Sequence, residues 1–219
     1  MKFIIAIIIA YLLGAIPSGF ILGKILKKID IRNYGSKNIG ATNVFRVIGV
    51  IPGIISLIFD FLKGFFAVQI GRCILESPTN IFNISILNVF NNIKGTQTFQ
   101  ILIIIVGISV VLGHIFPIFL KFKGGKGVAT GAGAFINIIP VPVIYALIPF
   151  VIILIIFRYV SLASMIAVIT FFGTELIKNI PNFDELPFLI LTAFIMILII
   201  FRHKENIKRL MNGKEKKLW

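Results

Sequence analysis

Four short segments of this 219-residue chain hold more small, polar and basic side chains than lipid packing needs. The first is Gly35-Ser36-Lys37-Asn38-Ile39-Gly40-Ala41-Thr42-Asn43-Val44-Phe45-Arg46. Backbone amides approach a ligand closely at glycine, hydroxyl and amide side chains add hydrogen bonds, and an arginine grips paired oxygens. Ser36, Asn38, Thr42, Asn43 and Arg46 could therefore cradle a phosphate; the same residues also suit a capped turn leading into a helix.

The second is Lys121-Phe122-Lys123-Gly124-Gly125-Lys126-Gly127-Val128. A glycine-rich loop opening into a helix offers an anion unpaired amides and the positive end of the helix dipole. Lys126 adds a mobile point charge between Gly125 and Gly127. The segment is not a nucleotide P-loop, because Leu120 stands where its first glycine belongs and Gly127 where its Ser or Thr belongs. Gly124, Gly125, Lys126 and Gly127 point to an anion site, against the plainer reading of a flexible basic turn. The nearby His114 reads as a structural hydrogen-bonder.

The third, Asp60-Phe61-Leu62-Lys63-Gly64, lies inside an apolar stretch, where charges are rare and are paired or functional. Asp60 and Lys63 can face each other at i, i+3, so they either neutralise each other or contact substrate. The fourth, Arg202-His203-Lys204-Glu205-Asn206-Ile207-Lys208-Arg209, puts His203, Asn206 and Arg209 on one broad side of a helix; an interfacial amphipathic tail explains it equally well.

The elements that must carry these segments span a bilayer. Hydrophobic residues make up 58% of the chain, charged residues 14%, and mean hydropathy is +1.04. A soluble domain of this size could not bury so much apolar surface. The expected fold is all-α, with seven transmembrane passes near 3–23, 51–71, 99–119, 128–139, 141–157, 161–178 and 187–202, each approaching the ~20 residues that cross ~30 Å. As one straight helix, 128–157 would be about 45 Å long at ~1.5 Å per residue. Pro140 and Pro142 therefore divide it into two passes. Met1–Leu22 is expected to be the first pass and not a cleaved leader.

The net charge is +14, and its placement orients the passes. On one side fall Lys24, Lys27, Lys28, Arg32, Lys37, Arg46, Lys121, Lys123, Lys126, Arg158 and the basic residues from Arg202 to Lys217, seventeen in all. Only Lys2, Arg72, Lys94 and Lys178 fall on the other. This asymmetry predicts an external N-terminus and a cytoplasmic C-terminus, with the first, second and fourth polar segments on the cytoplasmic face. Part of the charge serves anionic headgroups; the remainder suits a substrate with phosphate in water and an acyl chain in lipid. Nucleic acid is excluded as a partner for a chain mostly within the bilayer. One cysteine, Cys73, and two histidines leave no disulfide and no cysteine-rich or multi-histidine metal centre.

The sequence contains neither a Gly-x-Ser-x-Gly elbow nor a His-Glu-x-x-His pair. Its spacings offer no His–carboxylate pair to act as a positioned general base. A transferase of this kind needs an activated donor or a substrate that removes its own proton, and contributes positioning and charge stabilisation. A transporter of an anionic metabolite is the competing class. Its site belongs near the midplane, at broken helices of paired repeats; no repeat is visible here, and only Asp60 and Lys63 favour it.

The stretches 35–46, 60–64, 113–131 and 203–210, in this order, resemble the acyl-phosphate-dependent glycerol-3-phosphate acyltransferase family of bacteria, PlsY. The resemblance covers the whole chain as a single acyltransferase domain, 1–219. It implies transfer of a fatty acyl group from acyl phosphate to the 1-hydroxyl of glycerol 3-phosphate, giving lysophosphatidic acid and phosphate in the bacterial inner membrane. It further implies no metal or cofactor, and a possible partner in the enzyme that supplies acyl phosphate. By position, Ser36, Arg46 and Lys126 would bind substrate phosphate, and Asn38, Thr42 and Asn43 would shape that pocket. His203 and Asn206 would orient the second phosphate or the attacking hydroxyl. The outer loop 73–98 and the tail after Arg209 are the least constrained parts of the pattern.

Overall fold

The computed structural model describes residues 1–75, 97–179 and 186–219, and every regular element among them is helical. The chain forms two compact units, Met1–Ile138 and Ile139–Trp219. The first unit holds α1 (Lys2–Ala15), α2 (Ser18–Lys27), a 3-10 turn (Ile31–Asn33), α3 (Ala41–Val47), α4 (Val50–Leu75), α5 (Gln97–Ile115), a second 3-10 turn (Ile118–Leu120) and α6 (Val128–Phe135). The second holds α7 (Pro140–Phe157), α8 (Val160–Asn179), α9 (Leu186–Arg202) and α10 (Lys204–Met211). Most of the expected loop 73–98 lies outside the described residues.

Five helical stretches among the described residues are long and apolar enough to cross a membrane: Lys2–Lys27, Val50–Leu75, Thr98–Leu120, Pro140–Phe157 and Val160–Lys178. The pair α9 and α10, bent by 55°, makes a sixth when the two are taken as one span. The expected pass at 128–139 differs from the rest. Its helix, α6, has eight residues, about 12 Å at ~1.5 Å per residue. It stops because Asn137 and Ile138 tighten into i→i−3 bonds, to Ala134 and Phe135. Ile139 is then held outside the helical region, at φ −137° and ψ 77°, by the ring of the following Pro140. Pro140 opens α7 at a position where its missing N–H costs nothing. The first expected pass is broken by the same effect: Ile16, before Pro17, is extended and caps α1.

Glycines bring the helices of the first unit into backbone contact. A Cβ at Gly14 would lie 2.1 Å from the Val110 carbonyl oxygen, and one at Gly113 would lie 2.1 Å from that of Tyr11; both fix α1 against α5. Gly64 meets Thr130 and Gly133 meets Phe61 in the same way, seating α6 on α4. Such small-residue contacts are how membrane helices gain packing without a hydrophobic driving force between them.

In the second unit, α7 pairs with α8 and α8 with α9. The tail after Arg209, among the least constrained parts of the family pattern, is nevertheless docked. Residues after α10 fold back, and the Leu218 N–H donates to the Arg158 carbonyl at 2.8 Å. Glu215 is buried. It accepts from Ser161 Oγ at 2.8 Å, Asn206 Nδ2 at 2.7 Å and Arg209 Nε at 2.6 Å. A carboxylate among lysines reads as solvated in a sequence; here three donors take the place of water. Burial opposes the Glu215 charge, but the bonds from Arg209, Ser161 and Asn206 outweigh it and hold the carboxyl below its usual range.

Because its pKa is depressed in the folded state, Glu215 supports docking of the tail fully above the ordinary carboxylate range. That support is lost as pH falls through the depressed value. Trp219, the one tryptophan, reports it. Its fluorescence anisotropy should drop on acidification, and Glu215→Gln should be low already at neutral pH, with no acid step. Equal anisotropy in Glu215→Gln and the parent protein would refute this role.

Candidate functional site

The first polar segment is shaped by one buried side chain. Asn43, in the first turn of α3, is 1% exposed. Its Oδ1 accepts the Ser36 N–H at 2.8 Å, while Nδ2 donates to the carbonyls of Ile31, Tyr34 and Asn38. The polar atoms of Asn43 thus form the frame of the loop. Gly35 sits at φ +61°, where a Cβ would come within 2.2 Å of Asn43 Oδ1. Asn38 Oδ1 closes a further turn on the Gly40 N–H at 2.8 Å. The half-buried hydroxyls of Ser36 and Thr42 make no hydrogen bond to any described residue, and Arg46 lies half-buried in the last turn of α3.

The second segment is brought beside the first by Leu120, which packs in one buried cluster with Ile31, Ile39 and Val44. Its amides differ from the expectation. The Gly124 N–H donates to the Ile115 carbonyl at 3.2 Å and the Gly125 N–H to that of His114 at 3.1 Å, so both serve to hold the loop. Gly127 caps α6 at φ +85° with no side-chain cap, and the amides of the first helical turn lie beyond it without intrahelical partners. Lys126 is half-buried, whereas Lys121 and Lys123 are exposed.

The third segment organises the ground between them. Asp60, 2% exposed within α4, pairs with Lys63 Nζ at 2.9 Å and accepts from Ser18 Oγ at 2.8 Å. Lys63 also donates to the Ile16 carbonyl at 2.8 Å, at the break between α1 and α2. The two charges neutralise each other and clamp that break.

His114 corrects the expectation of no His–carboxylate pair. Its Nδ1 lies 3.5 Å from Asp60 Oδ1 and 3.2 Å from Thr130 Oγ1. Its Nε2 points at Gly125, where a Cβ would be 2.0 Å away. Sequence spacing could not show this, since Asp60, His114 and Thr130 lie on three different helices; Ser18 and Thr130 carried no signal. The one available hint was a charge inside an apolar span.

In the second unit, His203 is 1% exposed and caps α10 at the bend after α9. Its Nδ1 lies 2.8 Å from the Ile199 carbonyl. Asn206 commits Nδ2 to Glu215. The structure therefore gathers the first three segments within one unit and ties the fourth to the tail of the other.

The sequence profile of a family described as glycerol-3-phosphate acyltransferase matches residues 4–213. Glycerol-3-phosphate acyltransferase 2 of Bacillus anthracis is 40% identical over 215 residues, covering 98% of each chain. A glycerol-3-phosphate acyltransferase of Staphylococcus aureus (strain bovine RF122 / ET3-1) is 38% identical over 221 residues, covering 100% of this chain and 98% of its own. Two crystal structures of PlsY (YgiH), an integral membrane glycerol 3-phosphate acyltransferase, share its fold. The glycerol 3-phosphate form has a TM-score of 0.80 at 36% identity, covering 99% of this chain and 96% of that one. The lysophosphatidic acid form has a TM-score of 0.77 at 35% identity, covering 99% and 95%. With a profile match over nearly its whole length and full-length relatives of the same activity, the chain belongs to the glycerol-3-phosphate acyltransferase family.

Proposed function

We propose that this membrane acyltransferase takes its acyl group from an acyl phosphate and works on the cytoplasmic face of the bacterial inner membrane. It acylates glycerol 3-phosphate, as its family does. The hydroxyl oxygen at position 1 attacks the acyl carbonyl carbon, and the bond from that carbon to the phosphate oxygen breaks. Lysophosphatidic acid forms, and the leaving inorganic phosphate carries off the hydroxyl proton. An acyl phosphate is a mixed anhydride, already activated. The His114–Asp60 pair is enclosed, with His114 turned toward Gly125. Both facts favour a donor whose own phosphate accepts the proton.

The observation that carries this reading is Lys126. It is half-buried at the mouth of α6, on a loop that Leu120 holds against the Ser36–Arg46 segment. A compact ammonium there, with the first-turn amides of α6, can offset charge growing on a departing phosphate. Ser36, Thr42 and Arg46 would hold the other phosphate on a frame set by Asn38 and Asn43. Gly124, Gly125 and Gly127 let the backbone approach. His203 and Asn206 are assigned to orienting the second phosphate or the hydroxyl on the resemblance alone. Asp60 and Lys63, the features that favoured a transporter, have a structural task in the α1–α2 break.

Given glycerol 3-phosphate, purified protein should form lysophosphatidic acid with acyl phosphate and none with acyl-CoA or acyl carrier protein. In the same assay Lys126→Ala should lower kcat ~10²–10³-fold, the usual cost of one lost charge-stabilising contact. Lys126→Arg should rescue only partly, and Lys123→Ala should change little. Equal turnover with acyl-CoA, or near-parental kinetics for Lys126→Ala, would contradict the reading.

The seven-pass topology, with α6 and residues 136–139 as the short fourth crossing, rests on the charge asymmetry. In a Cys73→Ser background, Lys37→Cys, Lys123→Cys and Lys214→Cys should react with an impermeant thiol reagent only after the membrane is opened. Labelling of Lys214→Cys in intact cells would reverse the C-terminal assignment.

A further inference from the structure

His114 and Asp60 have no part in the chemistry just described, yet everything near Lys126 leans on them. His114 holds the glycine-lysine loop in two ways. Its carbonyl accepts the Gly125 N–H, and its ring stands against the Gly125 Cα so closely that any side chain there would collide with Nε2. Lys126 is the next residue. The ring cannot choose its own orientation, because Nδ1 faces Thr130 Oγ1 on α6 and Asp60 Oδ1 on α4. Asp60 in turn is fixed by Ser18 from α2 and by Lys63 one turn along α4. A continuous set of contacts thus runs from the break in the first span to the base of Lys126, and Asp60, His114 and Thr130 at its centre are buried.

Four properties separate this arrangement from ordinary packing. A carboxylate and an ammonium are kept inside an apolar helix although an apolar pair of equal size would cost less to bury. The imidazole is aligned by two polar groups on different helices. Its far nitrogen addresses backbone at the residue before the proposed charge stabiliser. And α6, which begins two residues after Lys126, carries one of those two groups, Thr130. Misplacement of a stabilising charge by about 1 Å is enough to cost ~10²-fold in rate.

We propose that Asp60 and His114 are positioning residues for acyl transfer: the Asp60 carboxylate sets the His114 ring, and the ring, seated on Gly125, sets Lys126. The proposal rests on Lys126 acting at a substrate phosphate. His114 does not exchange a proton with substrate in this account, because Nε2 faces the loop.

The test is a kinetic double-mutant cycle on purified, monodisperse protein, with glycerol 3-phosphate and acyl phosphate as substrates. His114→Asn and Asp60→Asn are each made alone and in a Lys126→Ala background. Since Asp60→Asn leaves Lys63 buried without its counter-charge and can unfold the protein, the paired change Asp60→Leu with Lys63→Met removes both charges at similar volume. Each change alone should lower kcat about 10- to 100-fold, with KM for glycerol 3-phosphate within about threefold of the parent, because a misplaced charge is felt in the transition state more than in ground-state binding. In the Lys126→Ala background the same changes should cost less than about twofold, the group they position being gone. A merely structural role would lower the yield of folded protein and leave kcat per folded molecule intact. A proton-transfer role for His114 would impose its full loss in both backgrounds. Either result overturns the proposal while leaving the Lys126 reading in place. Near-parental kcat for Lys126→Ala overturns both.

Discussion

A carboxylate cannot stand alone in hydrocarbon. Moving one there costs several kcal/mol even after relaxation, and taking away the partner of a buried ion pair costs about 3–5 kcal/mol. Asp60 is ten residues into α4, about 15 Å along its axis at ~1.5 Å per residue, and it must be satisfied from within the protein. Lys63 supplies the counter-charge, Ser18 a hydroxyl and His114 a ring nitrogen. Meeting that need joins α2, α4 and α5, and through His114 and Thr130 also α6. The break at Pro17 is part of the same solution, since it places Ser18 within reach and turns the Ile16 carbonyl toward Lys63.

The glycines are the second half of this arrangement. Polar side chains as short as Ser18 and Thr130 reach Asp60 and His114 only if the helices come close. Gly64 and Gly133 bring α4 and α6 into contact, and Gly14 and Gly113 bring α1 and α5 into contact, which draws the helices that carry these side chains together. Gly125 gives the imidazole its seat. The glycine-lysine loop therefore owes its shape less to its own flexibility than to hydrogen bonds from Gly124 and Gly125 to the end of α5. Its conformation is set by tertiary contacts.

Much of this was legible in the sequence. Apolar run lengths gave the long helices, Pro140 gave the start of α7, and four polar segments in order gave the family; the break at Pro17, inside the expected first pass, was not read. Other features were not. Local readings assign each residue to its own element, so a glycine loop suggests open amides until α5 is found to be using two of them. Likewise, Asp60 and His114 sit in different helices, and no periodicity joins them. Glu215 is a second case: no local pattern marks it, and only Ser161, Asn206 and Arg209 show that the tail is docked. The 128–139 segment shows a third limit, because hydropathy measures apolar length while helix length is set by where backbone bonds close, here at Asn137.

If a buried ion pair orders the loop that carries Lys126, removing the pair must loosen that loop selectively. Hydrogen exchange at the amides of Gly124 and Gly125 reads this directly, since both are bonded to α5 carbonyls. In the Asp60→Leu, Lys63→Met protein, those two amides should exchange at least about tenfold faster than in the parent, equivalent to about 1.4 kcal/mol of lost local stability. Amides in the middle of α8 should keep their protection. Unchanged exchange at Gly124 and Gly125 in a folded double variant would contradict the account.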